Sequence, residues 1–280
     1  MSDALQERQP VLPGVGISLA EKEQMAIALL QTYEPSALTA DPANGYYLAF
    51  SGGKDSCVIK ELATRSGVRF VSHYNVTTID PPELVRFIKR EHPDAVFERP
   101  TRSFWTMVEA AGLPTRRRRW CCAFFKEHGG AGKTKITGVR WAESPRRKSL
   151  WKQVSRWTEK GNVASWMINP ILYWSDVDVW EYIRTRALPY CELYDQGFAR
   201  LGCVGCPLDY RRADTLRRYP RYLANLKRAY SRFWESHCPA EITADSPYTY
   251  RTFASADDYF EWWISNKSMP DDEDCQLGLF

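Results

Sequence analysis

The sequence has no apolar run close to the ~20 residues that a helix needs to cross a bilayer, and residues 1–13 form no apolar signal segment. We therefore expect a cytoplasmic protein without membrane contact. Basic and acidic residues nearly balance, 38 against 34, so the net charge of +4 alone does not require a nucleic-acid partner. The four histidines show no catalytic spacing, and the sequence contains no internal repeat.

Cysteine is present in moderate number, eight in 280 residues, which is not the density of a small secreted disulfide scaffold. In the reducing compartment expected here, clustered cysteines more often bind metal or carry out redox chemistry. Cys121 and Cys122 are adjacent, whereas Cys203 and Cys206 enclose Val-Gly in a segment flanked by glycine and proline, which favours a turn. Four thiolates suit zinc or an iron–sulfur cluster, and spacing alone does not separate the two.

Three other cysteines have different expected roles. Cys57 falls just inside a helix-compatible segment and is expected in the core. Cys191 lies twelve residues before Cys203 and is the substitute ligand if one of the adjacent pair is not used. Cys238 has no predicted role.

A glycine-rich hexapeptide, Ser51-Gly52-Gly53-Lys54-Asp55-Ser56, follows an apolar stretch and precedes the helix-compatible segment. Glycines let the backbone turn sharply and bring its N–H groups close to an anion. A helix N-terminus adds roughly half a positive charge, and the lysine adds an ammonium group. The hexapeptide therefore predicts a phosphate-binding loop between a strand and a helix, with an ordinary capped glycine turn as the alternative.

The Walker-type pattern Gly-x-x-x-x-Gly-Lys-Ser/Thr does not occur at this loop. A similar segment at residues 129–134 has too short a spacing. It also precedes a strand-like run at residues 135–139 rather than the helix that such a loop requires. We therefore reject it as a phosphate site.

The hexapeptide closely resembles the PP-loop of the adenine nucleotide α-hydrolase superfamily, whose members bind pyrophosphate while chemistry occurs at the α-phosphorus. Other segments resemble the phosphoadenosine phosphosulfate (PAPS) reductase-like family, including its phage and bacterial members and the sulfur-activating proteins of DNA phosphorothioation. These segments are residues 119–122, 138–147, 169–172, 174–180 and 188–207. The resemblance covers about residues 45–225.

The resemblance implies an α/β fold, with a Rossmann-like, mainly parallel sheet and a helical C-terminal region. It implies an adenine nucleotide, either ATP or PAPS/APS (adenylylsulfate), bound by Ser51, Gly52, Gly53, Lys54, Asp55, Ser56 and Arg140. The residues implied in catalysis are Lys54, Asp55 and Arg140, and magnesium is a further candidate cofactor. A 4Fe–4S cluster is implied, with zinc as the second candidate, on Cys121, Cys122, Cys203 and Cys206.

Three functions are compatible with this resemblance. The first is nucleotidyl activation and sulfur transfer to DNA or another large acceptor, with a cysteine desulfurase as a candidate partner. The second is an assimilatory PAPS or APS reductase that releases sulfite with thioredoxin. Such reductases carry a C-terminal Glu-Cys-Gly-x-His segment, whereas residues 274–277 are Asp-Cys-Gln-Leu, which leaves Cys275 as a nucleophile only if the tail folds back. The third is a non-catalytic, nucleotide-binding partner of the replisome.

Strand-like and helical patterns alternate between residues 46 and 186, which predicts βαβ units and a mainly parallel sheet. The predicted strands are residues 46–50, 69–76, 95–98 and 135–139, and the predicted helices include residues 19–33, 81–90 and 175–186. The predicted domains are a helical segment (1–40), a nucleotide-binding α/β domain with the cysteines (41–210), a helical region (211–265) and a tail (266–280). Arg140 follows a predicted strand and is expected at the carboxyl edge of the sheet, where open α/β sheets bind ligands.

Two basic segments have two interpretations each. Residues 116–119 are four arginines, which form either a solvated face or a phosphate-facing patch beside the cysteines. Residues 211–234 are rich in arginine and tyrosine. This composition suits nucleic-acid contact, but an amphipathic helix packed on the core is the preferred interpretation.

The acidic tail ends in Gln276-Leu277-Gly278-Leu279-Phe280. This pentapeptide resembles the Gln-Leu-x-Leu-Phe peptide by which bacterial replication and repair proteins dock into the sliding clamp. The acidic linker would provide reach, and Leu279 and Phe280 are the candidate pocket anchors. A chance match, or an apolar end folded onto the domain, is the alternative.

Overall fold

The computed structural model describes residues 17–127, 129–158, 164–265 and 267. The chain forms two units, each with its own buried core. The sheet unit consists of Met1–Tyr74, Glu83–Glu98 and Gly129–Leu201. The helical unit consists of Asn75–Pro82, Arg99–His128 and Gly202–Phe280.

Across the described residues, six strands form one sheet. In chain order they are β1 (Tyr46–Phe50), β2 (Phe70–Asn75), β3 (Val96–Glu98), β4 (Lys135–Ile136), β5 (Val154–Thr158) and β6 (Ala164–Ile168). Their spatial order is β3-β2-β1-β4-β6-β5. β1 is parallel to β2 and β4, β4 is parallel to β6, and β5 is antiparallel to β6. The predicted α/β fold with a mainly parallel sheet is confirmed.

β1 lies where the order of the strands reverses, so the carboxyl end of β1 is the expected edge of a ligand-binding crevice. β1 is apolar throughout and buried at four of its five positions, as expected for a central strand covered on both faces. The chain continues from β1 to β2 on one side, and β4 pairs with β1 on the other side. In open α/β sheets, ligands bind outside the carboxyl ends of the strands at such a switch point.

The helices differ in part from the predicted ones. They are α1 (Leu19–Ala40), α2 (Lys54–Ser66), α3 (Pro82–Glu91), α4 (Phe104–Ala111), α5 (Trp120–Phe125), α6 (Pro145–Leu150), α7 (Asp176–Thr185), α8 (Arg212–Arg218), α9 (Pro220–His237), α10 (Tyr248–Thr252) and α11 (Ala256–Ser265). α1 begins at a capping box of Ser18 and Glu21 and continues through Pro35, so the predicted end at residue 33 is wrong. The helix extends because Ala37 is fully buried and its carbonyl accepts the Asp41 N–H.

The strand predictions are accurate for β1, while β4 is shorter than the predicted run of residues 135–139. Beyond Ile136 the chain passes close to α2, since a Cβ at Gly138 would lie 3.3 Å from the backbone carbon of Asp55. The antiparallel pair of β5 and β6 was not predicted. Both strands mix polar and aromatic residues without a clear apolar face.

The helical unit is built around α9, which packs against α4, α8 and α11. Leu226, Ala229 and Tyr230 form the buried face of α9. This packing confirms the amphipathic interpretation of residues 211–234. None of the described helices combines the length and apolar character that a bilayer-crossing segment requires.

Leu226→Ala should destabilise the helical unit by about 2–5 kcal/mol, because the substitution leaves a cavity under a fully buried side chain. Hydrogen exchange followed by mass spectrometry should then show faster exchange in α4 and α9 than in β1 and α2. Glu235→Ala, an exposed change on the same helix, is the control and should alter stability by less than about 0.5 kcal/mol. Equal acceleration in both units would contradict separate cores.

Candidate functional site

The hexapeptide lies between β1 and α2, as predicted: residues 51–53 form the connection, and residues 54–56 form the first turn of α2, which begins at Lys54. Gly52 has a φ of +71°, and a Cβ there would lie 2.7 Å from the Ile88 side chain, so the position requires glycine. Gly53 is the N-cap of α2 and provides no side-chain acceptor for the first helical N–H groups. The loop thus brings backbone donors and the positive end of the helix dipole to the crevice.

Hydroxyl groups hold this loop in place. Ser56 Oγ donates to the Gly53 carbonyl at 2.8 Å and lies 3.2 Å from Ser51 Oγ. The Lys54 N–H donates to the Tyr194 hydroxyl at 2.8 Å. Burial raises the pKa of Tyr194, so its phenol remains neutral. Sequence reasoning did not assign Tyr194 to the site, although the residue lies in the family-like segment 188–207.

Two cations and two carboxylates meet beside the loop. Arg140 Nε donates to Asp55 at 2.7 Å, and a terminal nitrogen of the same guanidinium donates to Asp176 at 2.8 Å. Lys54 Nζ lies 3.4 Å from a carboxylate oxygen of each aspartate. The other terminal nitrogen of Arg140 donates to the Trp174 carbonyl at 3.2 Å. The four side-chain charges therefore balance within the cluster.

Arg140 lies at the carboxyl edge of the sheet, as expected, but it is only 1% exposed. Burial alone would lower the pKa of Arg140, whereas the charges of Asp55 and Asp176 outweigh this effect and raise it. The guanidinium is thus charged and engaged by protein groups. In this arrangement its function is to hold the two carboxylates.

Asp176 was missed as a site residue, although the family-like segment 174–180 contains it. It is the first residue of α7, and its side chain is 64% exposed, which places its second oxygen within reach of solvent. Burial acts to raise the pKa of Asp176, and the charges of Arg140 and Lys54 overcome that effect and lower it. Asp176 is therefore an ionised carboxylate beside the proposed phosphate loop.

A series of polar contacts links the loop and α2 to His92 and Asp94, which follow α3. Cys57 Sγ lies 3.9 Å from the Gly52 carbonyl oxygen and 3.8 Å from His92 Nε2. Lys60 Nζ lies 3.2 Å from His92 Nδ1 and 2.6 Å from Asp94. Burial and the Lys60 charge lower the pKa of His92 to about 4, so the imidazole is neutral and accepts from Lys60. Cys57 is buried, as predicted, and burial raises its pKa to about 12.

The helical unit brings both cysteine pairs to one cavity that is partly open to solvent. α5 carries the adjacent pair, and the loop before α8 carries the other. The residues at the cavity include Cys121, Cys122, Cys203 and Cys206, with an apolar wall that contains Phe104, Phe125, Val204 and Pro207. Cys191 is buried in the sheet unit and does not line this cavity, so the structure gives no support to its role as a substitute ligand.

The thiols of the adjacent pair have opposite protonation tendencies. The hydrogen bond with Cys122 and burial raise the pKa of Cys121, so this thiol keeps its proton. The hydrogen bond from Cys121, assisted by the charges of Lys126 and Arg119, lowers the pKa of Cys122. The lowered pKa favours the thiolate form of Cys122, which is the form that binds a metal.

Lys126 is a further residue of this cavity that sequence reasoning missed. It follows Cys122 by four residues, or about one helical turn, and this spacing could have indicated it. The Cys203 sulfur attracts its ammonium group and raises the pKa of Lys126. The charge of Asp80 also raises the pKa of Lys126. Asp80 accepts a hydrogen bond from the Thr77 N–H at 3.0 Å. The cavity thus contains a cation that offsets thiolate charge.

The donor chemistry of the cavity fits a thiolate-ligated metal centre. In the described part of the chain, no three cysteine, histidine or acidic side chains stand in metal-holding geometry. The thiols are gathered but not preassembled around an ion, so the cluster and its ligands stay predictions.

The arginines of residues 116–119 are exposed, as a solvated face would be. Arg116 Nε nevertheless donates to the Pro207 carbonyl at 3.2 Å, which ties this segment to the second cysteine loop. Arg119 is the N-cap residue of α5. Cys275 and the clamp-like residues 276–280 lie outside the described residues.

A family model of the phosphoadenosine phosphosulfate reductase domain matches residues 45–209. The adenosine 5'-phosphosulfate reductase of Allochromatium vinosum is 31% identical over 223 residues, a match that covers 72% of this chain and 80% of that protein. Two uncharacterised proteins of Methanocaldococcus jannaschii are 31% and 30% identical over 57% of this chain. The chain spans only 40% and 35% of their respective lengths.

Solved structures show looser similarity. The PAPS reductase of Candida auris has a TM-score of 0.44 at 18% identity, over 68% of this chain and 97% of that one. The FMN adenylyltransferase of Candida glabrata has a TM-score of 0.48 at 16% identity, over 92% of this chain and 77% of that one. The family model matches more than half of the sequence, and the chain therefore belongs to the phosphoadenosine phosphosulfate reductase domain family.

Proposed function

We propose that the protein binds ATP with its outer phosphates at residues 51–56 and transfers the adenylyl group to an acceptor that then receives sulfur. The observation that carries this proposal is the pair of carboxylates, Asp55 and Asp176, on either side of the Lys54 ammonium. Two carboxylates repel a free anion, whereas magnesium is commonly held by one or two carboxylates together with substrate phosphates. The arrangement therefore suits a magnesium-bound triphosphate better than a metal-free sulfonucleotide.

The loop would contribute binding and charge stabilisation. The N–H groups at the start of α2 and the Lys54 ammonium bind the outer phosphates and stabilise the charge that develops on pyrophosphate. An acceptor oxygen bonds to the α-phosphorus, and the bond from that phosphorus to the bridging oxygen breaks with its electron pair on pyrophosphate. Arg140 keeps Asp55 and Asp176 in place throughout. Magnesium, when bound, would neutralise phosphate charge.

We assign the sulfur chemistry to the cysteine cavity of the helical unit. A 4Fe–4S cluster, or zinc as the second candidate, would be held by Cys121, Cys122, Cys203 and Cys206. Lys126 would offset the charge of the thiolates. A bound cluster would supply electron or sulfur chemistry, and a sulfur nucleophile would displace AMP from the adenylated acceptor. DNA is the candidate acceptor, and a cysteine desulfurase is the candidate sulfur source.

A second candidate function is the reduction of APS or PAPS to sulfite with thioredoxin. The alignment with the adenosine 5'-phosphosulfate reductase of Allochromatium vinosum favours it. The absence of glycine and histidine after Cys275 in the sequence counts against it. A non-catalytic nucleotide binder is the third candidate, and measurable ATP cleavage would exclude it.

The deciding experiment compares two reactions of the full chain after anaerobic purification. One is pyrophosphate release from ATP and magnesium, with and without DNA, and the other is sulfite release from APS or PAPS with reduced thioredoxin. Pyrophosphate without sulfite supports adenylyl transfer. Sulfite without ATP cleavage supports the reductase, and neither activity supports the non-catalytic binder.

Lys54→Ala should lower kcat/KM for pyrophosphate release by about 10²–10³, because the variant loses a charge that stabilises the leaving group. Lys89→Ala, at an exposed position on α3, is the matched control and should leave the rate unchanged. Initial rates with a coupled pyrophosphate assay measure both. Full activity of Lys54→Ala would exclude the proposed role of this loop.

Asp176→Asn should raise the magnesium concentration needed for half-maximal rate by about 10-fold, since the variant loses a metal-orienting charge and keeps its shape. Glu181→Gln, at an exposed position of the same helix, is the control. A magnesium titration of the rate measures the effect. A wild-type rate that is independent of magnesium would contradict the assignment of the two carboxylates.

The wild type should hold about four irons per chain if it binds a 4Fe–4S cluster. Cys203→Ser should lose most of this metal. Cys238→Ser is the matched control, because Cys238 lies in the same unit and does not line the cavity. Iron, acid-labile sulfide and zinc are assayed after anaerobic purification. Equal metal content in the two variants would remove the cavity from consideration as the metal site.

A further inference from the structure

We propose that the outer face of α8 and α9 binds the phosphate backbone of nucleic acid, with a preference for single strands. This basic face consists of exposed arginines at positions Arg217, Arg218, Arg221, Arg228 and Arg232. Residues 211–237 contain seven arginines and one lysine but only two carboxylates, Asp214 and Glu235. A local excess of positive charge of this kind, in a chain of nearly balanced charge, is the electrostatic footprint of nucleic-acid contact.

The arginines of α9 form a continuous stripe. Arg221, Arg228 and Arg232 are seven and four residues apart, so they project from one side of the helix over about 16 Å. The opposite side carries Leu226 and Tyr230, which are buried in the core of the helical unit. The stripe is therefore fixed in place by a packed helix.

Two arginines of the basic face, Arg221 and Arg228, are available to an external partner, whereas Arg217 and Arg232 already pair with carboxylates. Arg232 pairs with Glu109 at 2.8 Å, and Arg217 pairs with Asp214 at 2.8 Å. Among the residues that the structure describes, no carboxylate lies within ion-pair distance of Arg221 or Arg228. These two arginines can each neutralise a phosphate without first losing an internal partner.

An exposed aromatic ring favours a single strand over a duplex or a membrane. Tyr210, shortly before α8, is 75% exposed, and the Arg211 guanidinium lies 5.6 Å from the centre of its ring. Exposed rings beside basic groups are platforms on which unpaired bases stack. A membrane-binding helix would direct large apolar side chains to the lipid, whereas those of α9 are buried in the core of the helical unit or packed against it.

Binding at this face requires neither a nucleotide nor a metal cluster, so the test omits both. Fluorescence anisotropy compares labelled single-stranded DNA, RNA and duplex DNA of one sequence over a salt series with the full chain. The wild type should bind with an affinity that falls linearly with salt on logarithmic axes. The double variant Arg221→Ala/Arg228→Ala should reduce that slope by about 2 and weaken binding by about 10- to 100-fold.

Tyr210→Ala should weaken single-strand binding by about 5-fold or more, because a stacked base loses its platform. Duplex binding should change little, since its bases are already stacked. An equal loss for both nucleic acids would overturn the assigned preference for single strands.

The matched control is Arg86→Ala/Arg184→Ala, which removes two exposed arginines from the sheet unit and has the same net charge. The control should keep the wild-type slope and affinity. Equal losses in the two double variants, or no binding by the wild type, would overturn the proposal. Stronger binding to phosphatidylserine-containing vesicles than to nucleic acid, lost in the Arg221/Arg228 variant, would also overturn it. Urea unfolding checks that each variant is folded.

Discussion

The ion pairs of Arg140 are the constraint on which the candidate nucleotide site depends. A guanidinium that is almost fully removed from water needs compensating partners, and Arg140 finds them in Asp55, Asp176 and the Trp174 carbonyl. These partners come from the start of α2, the start of α7 and the segment before α7. Loss of one carboxylate would leave the buried guanidinium with a single counter-charge, which destabilises this part of the sheet unit. The geometry of the loop and the fold of the sheet unit are thus coupled energetically.

The cysteine cavity also places compensating charges side by side, but here positive side chains face sulfur ligands. Thiolates that bind a metal in this half-enclosed space would repel one another, and Lys126 and Arg119 are placed to offset part of that repulsion. The arginine-rich segment before α5 contributes to this arrangement, because its last residue, Arg119, stands at the N-cap position of α5 and its charge acts on Cys122. Basic residues that look like a solvated surface in the sequence therefore include groups that act on the cysteines.

Much of the fold could be predicted from local patterns. The apolar run of β1 and the glycines after it define a strand–loop–helix unit almost without reference to the rest of the chain. The end of α1 depends on tertiary packing, which carries the helix past Pro35. The pairing of β5 with β6 also depends on tertiary packing, because the mixed composition of these two strands does not indicate it. Tyr194, Asp176 and Lys126 escaped assignment for a related reason. Each acts through a partner that is distant in sequence or on the next helical turn, and a single side chain gives little sign of such a partner.

The contact between Tyr194 and Lys54 has a consequence for ligand affinity. The first amide of α2 already donates to a neutral phenol, so an anion that takes this amide must exchange one hydrogen bond for another. A fully charged phosphate oxygen makes the stronger bond, whereas a weakly basic anion gains little over the phenol. For a phosphate bound as proposed, the loop should therefore favour strongly basic acceptor oxygens, and the Tyr194 hydroxyl would lose its donor on binding.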